Sequence, residues 1–108
     1  MEIRSSTSRG LTPLMRASAI GQLESVIELI HEGADVNEIG PRGSSALMFA
    51  AGSGHLEVVA ELVRHGADVH AKEEGGWTAL CHAREDNDME IVTFLEGAME
   101  PSSTQSAR

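Results

Sequence analysis

The sequence predicts an all-α protein, a solenoid of stacked helix-turn-helix units. The main observation is self-similarity: from Gly10, the 108-residue chain divides into three frames of 33 positions, 10–42, 43–75 and 76–108. The first two frames are identical at 14 of 33 positions without a gap, and the third is weaker but in register. Helix start and stop signals also recur at the same places in the frames. The chain has only three aromatic residues, so its core is expected to be aliphatic.

The first helix of each frame has a recognisable beginning and end. A hydroxyl residue at the N-cap precedes it, and in the first frame Pro13 follows at the first helical position. The predicted helix covers about residues 14–20 and stops at Gly21, which Gly54 matches in the second frame. The three predicted N-caps are Thr12, Ser45 and Thr78.

The second helix is predicted at about residues 23–32 in the first frame. One apolar stripe runs along it, because its large aliphatic residues recur at helical spacing. Gly33 and Gly66 stand where a helix ends in a left-handed residue. An extended polar loop then leads to the next frame. Two short helices cannot bury their apolar faces alone, so stability requires neighbouring repeats to stack.

Composition and charge exclude several classes of protein. The net charge of −9 and the pI near 4.8 disfavour nucleic acid as a partner, because an acidic surface repels phosphate. No apolar run is long enough to cross a membrane, and residues 1–6 lack the apolar segment of a signal peptide. The single cysteine, Cys81, favours a reducing compartment. We therefore expect a cytoplasmic or nuclear location, or both.

Over residues 10–99 the sequence resembles the ankyrin repeat proteins. The period of 33 residues combined with recurring motifs makes this resemblance specific, whereas one short motif would be weak. The motifs that carry it are Gly10-Leu11-Thr12-Pro13-Leu14, Gly21-Gln22-Leu23-Glu24, Gly33-Ala34-Asp35-Val36-Asn37, Gly54-His55-Leu56-Glu57-Val58-Val59 and Gly66-Ala67-Asp68-Val69.

The resemblance implies an L-shaped ankyrin-repeat solenoid with β-turn fingers and a concave protein-binding groove. In that fold Trp77 would face the groove, where an exposed indole could dominate binding. Equally, its ring could pack onto the adjacent turn and only stiffen the finger. The other residues that the resemblance places in the groove are Arg9, Leu11, Arg42, Ser44 and Glu74 on the fingers and Ile20, Ser53, Glu85 and Asp86 at the ends of first helices. Charge is spread evenly over the three frames, so no single acidic patch is expected.

The sequence departs from the ankyrin pattern at the histidine usual after Thr-Pro-Leu. Met15, Met48 and Cys81 replace it, so its hydrogen bond is expected to be absent, with apolar packing in its place. In the third frame Arg84 and Glu96 replace residues that would pack against a following repeat. Polar residues there are typical of a capping repeat.

The expected domain organisation is a leader, three repeats and a tail. Polar composition predicts that the tail is disordered. No comparable cap precedes the first repeat, which either exposes apolar surface or continues into a further element. The boundaries are 1–9 for the leader, 10–42, 43–75 and 76–100 for the repeats, and 101–108 for the tail.

The search for catalytic or metal sites favours none. The five histidines do not converge in the repeat frame and lack metal-ligand spacing. Cys81 and His82 are neighbours on a helix, so their side chains diverge by about 100° and cannot form a nucleophile–base pair. The acidic run at 85–88 lacks the ligand pattern of a calcium loop. No cofactor, metal or enzyme activity is expected.

One modification is implied by the resemblance, since ankyrin repeats are substrates for an asparaginyl hydroxylase. Asn37 of Asp-Val-Asn fits that site, with Leu29 eight residues upstream; His70 takes its place in the next frame. The alternative is that Asn37 only braces its loop.

The functional prediction is a monomeric, non-catalytic module that binds another protein in the groove, as an adaptor, scaffold or inhibitor. It predicts no nucleic acid and no membrane partner. The alternative is that the chain is a fragment or short isoform of a larger ankyrin protein whose activity lies elsewhere.

Overall fold

A computed structural model describes residues 11–99, which form six α-helices and no strand. The helices make three antiparallel pairs, as the repeat frames predict, and the all-α solenoid is confirmed. The leader, Gly10 and residues 100–108 lie outside the described part. The helices are α1 (Pro13–Ile20), α2 (Leu23–His31), α3 (Ala46–Ser53), α4 (Leu56–Arg64), α5 (Ala79–Glu85) and α6 (Met89–Met99), with a short 3₁₀ turn at Pro41–Gly43 between α2 and α3.

Each inner helix (α1, α3 and α5) begins at the predicted hydroxyl cap. The Oγ1 of Thr12 accepts a hydrogen bond of 3.1 Å from the amide of Met15, and Ser45 and Thr78 make the equivalent bonds at 3.4 and 3.3 Å. These bonds satisfy amides that the first turn of a helix leaves unpaired.

The inner helices end at a left-handed residue, which is glycine in the first two pairs. Gly21 has φ 80° and Gly54 has φ 81°. In the third pair Asn87 takes the position with φ 58°. Asparagine is one of the few non-glycine residues that visit this region routinely, so the connection is kept although the glycine is lost.

The core is aliphatic and lies between the stacked pairs. Inner helix contacts inner helix from α1 to α3 to α5, and the outer helices stack from α2 to α4 to α6. Ala50 of α3 and Leu62 of α4 have no exposed surface. Their counterparts in the third pair, Ala83 and Leu95, are also buried, so each pair covers the apolar face of the next.

Met15 packs tightly beneath the loop that follows the first pair. Its side chain is 1 % exposed, and a Cβ added at Gly40 would lie 2.6 Å from the Met15 sulfur. The predicted apolar packing in place of the usual histidine is therefore present here. A larger residue at position 40 would have to move the end of the Met15 side chain.

The two ends of the stack differ in chemistry. On the outer face of the last pair, Arg84 forms a 2.7 Å ion pair with Glu96, and both side chains are largely exposed. The opposite end is more apolar, with a shallow depression lined by Leu11, Ile20 and Leu29. Within residues 11–99, no helix is both long and apolar enough to span a bilayer.

Candidate protein-binding groove

Two turns project from the helix pairs and form one wall of a groove. In the middle finger (residues 40–44) the amide of Gly40 donates to the carbonyl of Ser44 at 2.8 Å. In the last finger (residues 73–77) the amide of Glu73 donates to the carbonyl of Trp77 at 2.9 Å. A third hydrogen bond, from the amide of Glu74 to the carbonyl of Arg42 at 2.9 Å, joins the two fingers. The fingers are therefore held as a continuous wall.

Arg42 stands at the tip of the middle finger in a strained backbone conformation. Its φ is 55°, and its side chain is exposed. A left-handed conformation costs a non-glycine residue about 1 kcal/mol, a cost found most often at functional sites. The turn thus presents a positive charge at a position where glycine would be conformationally easier.

Trp77 is partly packed and partly accessible. Its ring centroid lies 5.2 Å from that of His82, with the planes tilted by 53°. The residue is nevertheless 37 % exposed. The indole therefore contacts His82 of α5 and is still partly accessible, and its role in binding stays a prediction.

The histidine beside Trp77 connects the last finger to the inner helices. Its Nε2 lies 3.1 Å from Oε1 of Glu73, and its ring lies over Gly52 of α3, where an added Cβ would be 3.6 Å from the His82 Cβ. A pocket of about 250 Å³, which we call the Glu73 pocket, opens between finger and helices. It is lined by Ser44, Met48, Phe49, Gly52, Ser53, Glu73 and His82.

The remaining residues predicted for the groove differ in exposure and in position. Ser44 is only 8 % exposed, and its hydroxyl donates to the carbonyl of Pro41 at 2.6 Å, so it serves the turn and offers little surface. Ile20 is 59 % exposed, whereas Leu11 is half-buried, and both line the depression at the first end of the stack. Arg9 lies outside the described residues. The other members of the set are also exposed: Ser53, Glu74, Glu85 and Asp86.

Sequence reasoning missed three residues that form the centre of the groove. They are Phe49, Glu73 and His82, all lining the pocket beside Trp77. A signal was present, because Arg16, Phe49 and His82 occupy the same position of α1, α3 and α5. This position differs in every frame, and its three residues are exposed or half-buried in the structure.

The charged residues of the groove are segregated by sign, although the repeat frames carry similar net charges. Arg16 and Arg42 belong to the first and middle parts of the groove. The part around α5 and the last finger carries four carboxylates against Lys72, and Arg84 is paired with Glu96 on the outer face of the last pair. The expectation of no single acidic patch stays a prediction. The four carboxylates belong to Glu73, Glu74, Glu85 and Asp86.

Asn37 braces the loop between the first two pairs. Its Nδ2 donates to the carbonyl of Gly66 at 3.0 Å, and its Oδ1 accepts from the amide of Asp68 at 2.7 Å. Both groups lie in the equivalent loop of the next repeat. The bracing role considered from the sequence is thus present in the structure.

The single thiol of the chain lies in the first turn of α5. Cys81 is half-buried, and the Thr78 hydroxyl beside it lowers the pKa of the thiol below its ordinary value. The distance between the Thr78 oxygen and the Cys81 sulfur is 3.5 Å. Among residues 11–99, no three His, Cys, Asp or Glu side chains are grouped in a way that could hold a metal ion.

A second apolar surface lies on the outer helices. Met89 is 62 % exposed at the start of α6 and borders an open depression with Leu56 and Phe94. This surface lacks the fingers and the charged residues of the groove. It provides a comparison site for mutations that test the groove.

Comparison with known proteins bears on the family. The family model for ankyrin repeats, in three copies, matches residues 14–104 of the chain. Among curated proteins, none matches the sequence. Ankyrin repeats are generally protein–protein interaction modules, and the family is typically non-enzymatic.

Proposed function

Because the chain belongs to the ankyrin-repeat family, we propose that it is a non-catalytic module that binds a partner protein in the groove between its fingers and inner helices. It would act as a monomeric adaptor, scaffold or stoichiometric inhibitor in the cytoplasm or nucleus. Any catalytic activity would belong to the partner, and the groove would only recognise that partner.

The observation that carries this proposal is the Glu73 pocket beside the accessible edge of Trp77. Aromatic residues set next to a concave, partly apolar surface provide much of the binding energy at protein interfaces. Here the indole is held by His82, which is held in turn by Glu73. A side chain that is already ordered loses less entropy when a partner covers it.

Affinity capture with matched variants tests the groove. The intact chain, Trp77→Ala and Met89→Ala would be immobilised and exposed to cell lysate, after circular dichroism has shown that all three are folded. We expect the intact chain and Met89→Ala to retain the same proteins, and Trp77→Ala to lose them. Loss through Met89→Ala alone would place binding on the outer helices and overturn the assignment.

A second candidate is a groove that works as part of a larger ankyrin protein. The observation that favours it is the apolar depression on the first pair. Leu29 there is only half-buried, whereas its counterparts Leu62 and Leu95 are covered by the preceding pair. An immunoblot of the endogenous protein distinguishes the candidates, because a mass well above 11.5 kDa would support the larger protein.

A further inference from the structure

We propose that the groove recognises an extended segment of a partner protein through an arginine or lysine whose head group binds Glu73. This inference rests on the proposed function, because it assigns the chemistry of the partner that the groove would bind. The partner is therefore a basic segment, and the specificity-determining residue on this chain is Glu73.

The first argument is the shape and lining of the Glu73 pocket. Its apolar lining comes from Met48 and Phe49, and its polar wall comes from Glu73 and His82. Arginine and lysine side chains also have an apolar and a polar part. They bury an aliphatic stem along apolar surface and keep the charged head group at a polar surface. An arginine head also stacks favourably on aromatic rings, and Phe49 supplies one in the lining of this pocket.

The second argument is the hydrogen-bonding capacity of Glu73. Its side chain is 26 % exposed and its neighbour His82 is 27 % exposed, so the carboxylate is fixed but reachable. Within residues 11–99 its side chain makes one hydrogen bond, in which Oε1 accepts from Nε2 of His82. An ionised carboxylate can accept about four, so a partner's guanidinium or ammonium can be added without displacing the histidine.

The third argument is the segregation of charge along the groove. Three further carboxylates (Glu74, Glu85 and Asp86) are exposed on the last finger and at the end of α5, while Arg16 and Arg42 lie on α1 and the middle finger. A basic segment would be attracted to the last repeat and repelled at Arg42. Such complementarity sets the orientation of a bound segment and raises its association rate. The net charge of −9 adds to the attraction at long range.

Selection of peptides tests the proposal although the partner is unidentified. The full chain would be used to select binders from a random peptide library displayed on phage, and the selected peptides would be synthesised. We expect one aligned position to be enriched in arginine or lysine. Replacing that residue by norleucine, which keeps an aliphatic stem without the charge, should weaken binding at least about tenfold.

Matched variants of this chain locate the interaction. Glu73→Gln keeps the shape of the side chain and removes the charge, and we expect it to weaken the selected peptides at least about tenfold. Glu90→Gln removes an exposed carboxylate on α6, outside the groove, and should leave their affinity unchanged within about twofold. Unfolding curves of both variants establish that each remains folded.

The outcomes separate this inference from the proposed function. Peptides that need Trp77 but lack a basic residue, or that tolerate Glu73→Gln, overturn the basic-segment inference and leave the groove as the binding surface. Peptides unaffected by Trp77→Ala and by Glu73→Gln overturn both. Recovery of no peptide also counts against the inference, because an exposed pocket of this kind should select linear segments.

Discussion

The side chain of Asn37 connects two neighbouring repeats through hydrogen bonds. Both of its hydrogen bonds reach backbone groups of the following loop, so Asn37→Ala would lose both. We expect the free energy of unfolding to fall by about 1–2 kcal/mol, because each net hydrogen bond contributes about 1 kcal/mol and water reaches the site. Urea denaturation followed by circular dichroism measures the change.

The second repeat supplies a control for this prediction. His70 occupies the position equivalent to Asn37, and its side chain is exposed. We expect His70→Ala to change stability by less than about 0.5 kcal/mol. If the two variants lose the same free energy of unfolding, the Asn37 hydrogen bonds do not explain the loss.

The same hydrogen bonds bear on hydroxylation of Asn37, which remains a prediction. An enzyme must reach the Asn37 side chain, which is engaged in the folded loop, so modification should be faster where the loop opens. Incubation with the hydroxylase should add one oxygen to the intact mass, at position 37. An unchanged mass would leave Asn37 with a bracing role alone.

Cys81 gives a prediction about pH. The Thr78 hydroxyl lowers the pKa of the folded thiol, so Thr78→Val should raise it. Because the folded pKa is depressed, ionised Cys81 contributes stability that is present above the unfolded pKa and is lost as the pH falls through the folded pKa. Ultraviolet thiolate absorbance against pH measures the pKa directly, since the chain has one cysteine.

Thr12→Val is the matched control for this titration. It removes the equivalent N-cap, at a cost of about 1 kcal/mol, but lies far from the thiol. The pKa of Cys81 should therefore be the same in Thr12→Val as in the original chain. A rise in both variants would trace the effect to general loosening of the fold rather than to the Thr78 hydroxyl.

At the scale of the elements, the turn from α1 to α2 depends on a glycine in contact with the next repeat. Gly21 has φ 80°, and an added Cβ would lie 2.6 Å from the ring of His55. Gly66 also has positive φ, but nothing lies within 4 Å of its added Cβ. We expect Gly66→Ala to cost about 1 kcal/mol and Gly21→Ala at least about 1 kcal/mol more, from the overpacking.

A double-mutant cycle checks the physical cause of that difference. His55 also bonds the carbonyl of Ala19 through its Nε2 at 3.2 Å, so His55→Ala is destabilising by itself. In that background the added methyl at position 21 no longer meets the ring, and the extra cost of Gly21→Ala should disappear. An undiminished cost would mean that backbone strain alone explains it.

The helices were predictable from sequence because their boundaries depend on local chemistry. A hydroxyl at Thr12 and a glycine at Gly21 act within a few residues, and the period of the repeats shows which elements stack. The sequence shows that Asn87 replaces the glycine of the first two repeats, but only the structure shows that Asn87 has a left-handed φ. The strain at Arg42 was not predictable, because arginine has no preference for that conformation.

The centre of the groove was harder to predict than the helices. Trp77 was found because it stands out in composition, and its position follows from the repeat register. The pair of Glu73 and His82 joins a finger to a helix, and nothing local in the sequence links the two residues. Ser44 was misleading for the opposite reason, since its register position places it in a finger but its hydroxyl is used within the turn.

At the scale of the whole molecule, the polar end of the stack should prevent association. Arg84 and Glu96 replace Ala51 and Val63 of the preceding repeat, and their ion pair covers the last face. Restoring those residues with Arg84→Ala and Glu96→Val would expose an apolar surface that can meet the depression at the other end of a second copy. We expect concentration-dependent self-association, detected by sedimentation velocity.

Variants that keep the charges provide the control for the capping prediction. Arg84→Lys combined with Glu96→Asp retains a polar surface and should sediment like the original chain. If the apolar double variant also sediments as a monomer, the ion pair is not what keeps the last face from stacking.

The stacking of each helix pair on its immediate neighbours also affects how the chain acquires its structure. A contact between neighbouring pairs closes a loop of about one repeat, so folding has few long loops to close, and such topologies fold quickly. On the ribosome, the first pair can begin to dock as soon as the second has emerged. The last pair then adds to an existing template, and the groove is completed once that pair has emerged.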